Sequence, residues 1–70
     1  MKLRGVVAKN LRDLRKAKGL SQEELADRAA IDRNYVGIVE RSANSVSVDV
    51  LEKLADALEV EPSDFFRLGD

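Results

Sequence analysis

Seventy residues with 44% hydrophobic and 36% charged side chains make one small folded domain, close to the least that a single apolar core can hold together. The chain has no cysteine and no histidine, which excludes disulfides and thiolate metal sites, removes the commonest general base and metal ligand, and leaves no metal site or cofactor in view. Net charge is −1, but residues 1–20 hold seven basic side chains and one acid, residues 21–41 three and five, and residues 42–70 two and seven. A basic start and an acidic end hint at nucleic-acid contact, although solvated helix faces account for the charges alone equally well. No apolar run is longer than Val6 to Ala8, far too short to span a membrane. Lys9 and Arg12 break any signal-like continuation of Met1-Lys2-Leu3-Arg4. A soluble, cytoplasmic protein with no membrane partner is expected.

Leu3, Val7, Leu11 and Leu14 step by four, four and three, one stripe of an amphipathic helix predicted over residues 6–18, with Met1 to Gly5 frayed. Lys16 and Lys18 suit the carbonyl end of its dipole, and Gly19 is a natural left-handed residue to end it. Ser21 can cap a second helix, 22–29, with Glu24 three residues on to close a capping box. Leu25, Ala26 and Ala29 share one face of it. Ile31 is apolar at the turn, and Asp32 caps a third helix, 33–41. There Val36 and Val39 share a side, with Glu40 at its edge. At about 100° per residue, Asn34, Gly37, Ile38 and Arg41 point the opposite way, and Arg33 sits beside them. A helix held by two valines with Arg, Asn and Arg around its free side is built to be presented, the logic of a helix-turn-helix.

Residues 42–46, SANSV, read as a loop. Ser47 can cap a fourth helix, 48–58, with Val50, Leu51, Leu54, Ala55 and Leu58 as its buried stripe. Pro62 suits the first position of a fifth, 62–68, where its missing N–H is unneeded. Phe65, Phe66 and Leu68 concentrate apolar surface at that end. The predicted fold class is all-α, a compact five-helix bundle forming one domain over residues 1–70.

Three blocks at fixed spacing carry a family resemblance: R-x-x-x-G-L-S-Q-E-E-L-A from Arg15 to Ala26, Y-V-x-x-V-E-R from Tyr35 to Arg41, and L-x-K-L-A-x-A-L from Leu51 to Leu58. Together, over about Leu11 to Phe66, the chain resembles the lambda-repressor/Cro-like (XRE-type) helix-turn-helix family. The stretch from Arg33 to Leu58 looks further like the controller proteins of restriction–modification systems. The resemblance implies that Arg33, Asn34, Gly37 and Ile38 face DNA base edges. It implies that Ser21, Gln22, Arg41, Asn44 and Ser45 meet backbone phosphate, with Gln22 also buttressing the third helix. It implies an internal ion pair between Arg15 and Glu40. Residue chemistry fits these roles: arginine can bond guanine O6 and N7, asparagine adenine N6 and N7, and each such pair is worth roughly 1–3 kcal/mol of discrimination. Three departures from the family pattern stand out. Ala30 and Ser42 occupy turn positions where glycine is usual, and Ser45-Val46 replaces a frequent Asn-Pro.

The function so implied is a sequence-specific DNA-binding transcriptional regulator of bacterial or phage type, working at the nucleoid. It would act as a homodimer on a pseudo-palindromic operator, through the major groove. Phe66 and Leu68 are the candidate dimer surface, while Phe65 is expected to close the core. The alternative is a protein-interaction module, antitoxin-like or bridging, on the same fold. Its weakness is that nothing in it needs Arg33, Asn34 or Gln22. An enzyme is disfavoured, because Glu23, Glu24, Asp27 and Asp32 are accounted for by helix capping and dipole effects. No small-molecule ligand is evident.

Overall fold

The computed structural model describes residues 2–42 and 46–69, in four α-helices and a closing 3-10 turn. These are α1 (Leu3–Ala17), α2 (Gln22–Ala29), α3 (Arg33–Glu40), α4 (Val48–Leu58) and the turn Pro62–Phe66. Three of the helices stop by one device. Gly19, Ala30 and Glu59 each turn left-handed, at φ 70°, 57° and 58°. The next residue in each case, Leu20, Ile31 or Val60, is apolar, and its N–H donates back to Arg15, Ala26 or Ala55 respectively. This paired motif satisfies the last helix carbonyls and folds an apolar side chain back towards the core. Only at residue 19 is the left-handed residue a glycine. At Ala30 and Glu59 the Cβ opposes that conformation by roughly 1–2 kcal/mol.

The starts are equally explicit. The Ser21 hydroxyl accepts from the Glu24 N–H at 3.0 Å while the Glu24 carboxylate accepts from the Ser21 N–H at 2.9 Å. Asp32 accepts from the Asn34 N–H at 2.8 Å, and the Ser47 hydroxyl from the Val50 N–H at 3.1 Å. Each cap removes one of the unpaired donors that a helix start exposes.

Three elements differ from the expectations above, the smallest change being that α3 ends at Glu40, one residue short of the predicted 41. α1 begins at Leu3, a turn earlier than predicted, and ends at Ala17. Lys2 is extended, and its carbonyl accepts from the N–H groups of Gly5 and Val6. Nothing between Lys2 and Val6 interrupts the helix, so the first turn forms without a side-chain cap. Leu3 itself is 55% exposed and stands outside the stripe that Val7 and Leu11 bury. The expected fifth helix over 62–68 is instead the 3-10 turn, with Arg67 extended after it. Asn10 explains the difference. Its amide donates to the carbonyls of both Phe65 and Arg67 at 2.8 Å, drawing the chain along α1 after a single turn.

The core gathers Leu11 from α1, Leu25 from α2, Val36 from α3, Leu54 and Leu58 from α4, and Phe65 from the turn, all fully buried. α2 packs on α3 and α4, and the 3-10 turn seats Phe65 between α1 and α4. Val50 lies at the edge of the cluster, half-buried. Fully burying a side chain such as Leu or Phe contributes about 1.5–3 kcal/mol, so these six side chains dominate the stability of a chain this small. Among the described residues there is no strand, and no helix is long and apolar enough to cross a membrane.

Candidate nucleic-acid interface

α3 is a two-sided helix. Val36 is 0% and Val39 3% exposed, packed in the same cluster as Leu25, Ala26 and Ala29 of α2. On the other side Arg33 and Asn34 are exposed and Ile38 is half-buried. Apolar packing fixes where this helix lies. Polar bonds fix its rotation.

Those polar bonds converge on Glu40, the one charged residue in the buried class among the described residues. Arg15 Nε donates to Glu40 Oε2 at 2.6 Å, and Arg15 Nη2 donates to Oε1 at 3.0 Å. Gln22 Nε2 adds a third bond to Oε1 at 3.0 Å. Arg12 Nη1 donates to the Glu40 main-chain carbonyl at 3.2 Å, and Arg15 Nη1 to the Leu20 carbonyl at 2.8 Å. α1, α2 and α3 are thereby tied at one point, and no buried side-chain donor or acceptor among the described residues lacks a partner. Burial opposes ionisation of Glu40, but the hydrogen bonds from Arg15 and Gln22 outweigh it and hold the carboxyl below the ordinary glutamate range. The same bond to Glu40 raises Arg15.

The residues assigned to DNA by resemblance separate into distinct settings. Asn34 has its main-chain N–H capped by Asp32, and its amide makes no hydrogen bond to another described residue. Arg33 Nη1 pairs with Glu23 on α2 at 2.5 Å, with both side chains more than 60% exposed. Ser21 is occupied as a cap acceptor but keeps its hydroxyl proton for another acceptor. Arg41 is exposed and makes no side-chain hydrogen bond to another described residue. Gly37 is not open to solvent. It is buried, and a Cβ built on it would lie 3.1 Å from Arg41 Nη1 and 3.5 Å from Gln22 Oε1. Asn44 and Ser45 lie outside the described residues.

The hydrogen-bonding roles of Arg12 and Asn10 are absent from the reading of the sequence. Arg12 was legible only as one cation of a basic helix. Asn10 did carry a signal, as an uncharged double donor at helical spacing from the apolar Leu3, Val6, Leu14 and Ala17 of α1.

Away from α3, Phe66 is 40% and Leu68 61% exposed, whereas Phe65 is fully buried. Phe66 lines an open groove of about 800 Å³ together with Leu3, Val7, Val46, Val48 and Leu51. Leu3 and Val48 are also largely exposed, and Lys2, Arg4 and Ser42 share the lining of the groove between the start of α1 and the start of α4. Among the described residues no cluster of acids could hold a metal ion.

Comparison with known proteins agrees with this geometry. A helix-turn-helix family model, HTH_3, matches residues 11–65. The chain is 48% identical over 58 residues to a hypothetical transcription factor of Neisseria meningitidis; the match covers 83% of this chain and 55% of that protein, so the chain spans about half the length of that relative. It is 40% identical over 58 residues to the control protein C.SmaI of Serratia marcescens, covering 83% of this chain and 69% of that one. The crystal structure of the restriction–modification controller protein C.AhdI from Aeromonas hydrophila matches with a TM-score of 0.87 at 49% identity, over 90% of this chain and 96% of that one. With a capped α2, a turn through Ala30 and an α3 held by Val36, Val39 and Glu40, the chain belongs to the HTH_3 (XRE-type) helix-turn-helix family, with restriction–modification controller proteins among its close relatives.

Proposed function

We propose that the protein is a sequence-specific transcriptional regulator that binds a pseudo-palindromic DNA operator as a homodimer, in the manner of a restriction–modification controller. The observation that carries this reading is the division of α3. Its inner side is fixed by two buried valines and the Glu40 network, and its outer side leaves the donor-rich side chains Arg33 and Asn34 exposed. Such a helix enters the major groove, where arginine and asparagine discriminate base edges by paired hydrogen bonds. Ser21, Gln22 and Arg41 flank it with donors for phosphate oxygens, which set register rather than sequence.

The size of the protomer supports pairing. The longest extent of one protomer is 30 Å, while equivalent faces of the major groove recur about every 34–36 Å. One copy presents one α3 and reads one half-site. The apolar groove bordered by Phe66, Leu3 and Val48 is the surface assigned to the second copy, with Leu68 beside the same C-terminal segment.

Footprinting on selected duplexes, alongside sedimentation of the free protein, tests both parts. The reading requires protection of two major-groove segments one helical turn apart. It also requires that Phe66→Glu shifts the protein towards monomer without loss of helix content. Binding no tighter to any selected duplex than to random sequence at low salt defeats the DNA part. A single asymmetric protected segment, or a Phe66→Glu variant that assembles like the parent, defeats the dimer part.

A further inference from the structure

We propose that Gly37 does not itself read DNA but is the seat that fixes Arg41 at the DNA-facing side, an inference that rests on the DNA-binding reading above. Long side chains on a helix lean back towards its N-terminus, over the residues three and four positions earlier. Arg41 therefore leans over Ile38 and Gly37. The Arg41 guanidinium has moved in far enough that Nη1 lies 3.1 Å from the point where a Cβ on residue 37 would stand. That is tighter than ordinary van der Waals contact, so a Cβ at residue 37 would push the guanidinium aside by a few tenths of an ångström. The Gln22 Oε1 lies 3.5 Å from the same point, while the Nε2 of that amide donates one hydrogen bond to Glu40. Gly37 is thus covered by two polar side-chain ends, one held by a buried carboxylate and one charged and without a hydrogen bond to another described residue. This arrangement explains both the buried state of a glycine on the outer side of α3 and the presence in mid-helix of a residue with poor helix propensity.

The ligand of Arg41 in this position is a DNA backbone phosphate, reached from beside Gln22. Gly37 is a positioning residue that acts through Arg41, and a double-variant cycle reads that coupling. Gly37→Ala, Arg41→Ala and the double variant are compared with the parent in duplex binding over a salt series and in thermal unfolding. Alanine favours the helix and meets only the flexible end of Arg41, so Gly37→Ala keeps an unfolding midpoint at or above that of the parent. Arg41→Ala weakens all duplexes alike by about fivefold or more and lowers the salt slope by about one. Gly37→Ala reproduces part of that loss in the parent and has no effect in the Arg41→Ala background. In the free parent protein, nuclear Overhauser contacts join the Gly37 α-protons to the Arg41 side chain.

Equal binding by Gly37→Ala and the parent overturns the proposal. So does an equal loss in both backgrounds, which would mean that DNA itself approaches Gly37. A change of base preference rather than a uniform loss, or absence of the Gly37–Arg41 contact in the free protein, overturns it as well. Failure of the underlying reading looks different, because the parent itself would then bind no duplex above random sequence.

Discussion

Arg15 and Glu40, 25 positions apart, form a two-bonded ion pair in the interior, with side chains only 11% and 4% exposed. It joins α1 to the end of the presented helix, and Gln22 of α2 completes it. Removing one partner leaves the other charged, buried and uncompensated. Glu40→Ala and Arg15→Ala are each expected to destabilise the fold by about 3–5 kcal/mol in denaturant unfolding. Arg15→Met combined with Glu40→Leu removes both charges at similar volume, and is expected to cost less than either single change. If the double variant loses the sum of the singles, the pair is not coupled in this way.

The same pair sets a pH dependence. Glu40 is held below the ordinary glutamate range in the folded chain, so the unfolded chain takes up its proton first as pH falls. The stabilisation it supplies is present in full above the unfolded value, about 4.3. It drains away as pH drops below that value and through the lower folded one. Unfolding curves across this acid range should steepen against pH for the parent and flatten for Glu40→Gln, which has no proton to bind there.

Ala30 and Glu59 both sit left-handed at helix ends, where they carry a steric cost that glycine avoids. Ala30→Gly and Glu59→Gly should each stabilise by about 0.5–1 kcal/mol, net of the freedom glycine restores to the unfolded chain. In a domain of this length that is a rise in Tm of about 2–8 °C. Calorimetry showing a fall in Tm for both would mean that the turns are not strained.

Glu23 holds Arg33 in a solvent-exposed ion pair on the face assigned to DNA. An exposed pair contributes only about 0–1 kcal/mol to stability, so Glu23→Gln should leave unfolding unchanged within about 0.5 kcal/mol. Releasing Arg33 and removing a negative charge near the phosphates should tighten duplex binding, by up to about fivefold at low salt and less at high salt. Weaker binding by Glu23→Gln would show instead that Glu23 aligns Arg33 for its base.

Much of this architecture is written in local chemistry. Ser21 with Glu24, Asp32 and Ser47 are cap residues whose effect spans three positions or fewer, so their reach is visible along the chain. The inward side of α3 follows from the spacing of Val36 and Val39 alone. What lay hidden depends on distant partners. Asn10 bonds carbonyls 55 and 57 positions away, and that contact turns the expected fifth helix into a 3-10 turn. The left-handed Glu59 was hidden for another reason, since a charged residue replaces the glycine that marks such a stop. The apolar Val60 behind it was the remaining clue. Gly37 faces the expected side of α3, but only the fold of the Arg41 side chain reveals that it is covered.

Whether the outer side of α3 reads bases is decided by selecting bound duplexes from a random pool, in parallel with the parent and with Asn34→Ala. The parent should yield a two-fold symmetric consensus. Asn34→Ala should yield the same consensus relaxed at one position of each half-site, with a discrimination loss of about 1–3 kcal/mol there. An identical consensus from both proteins, or no enrichment by the parent, would contradict base reading by α3.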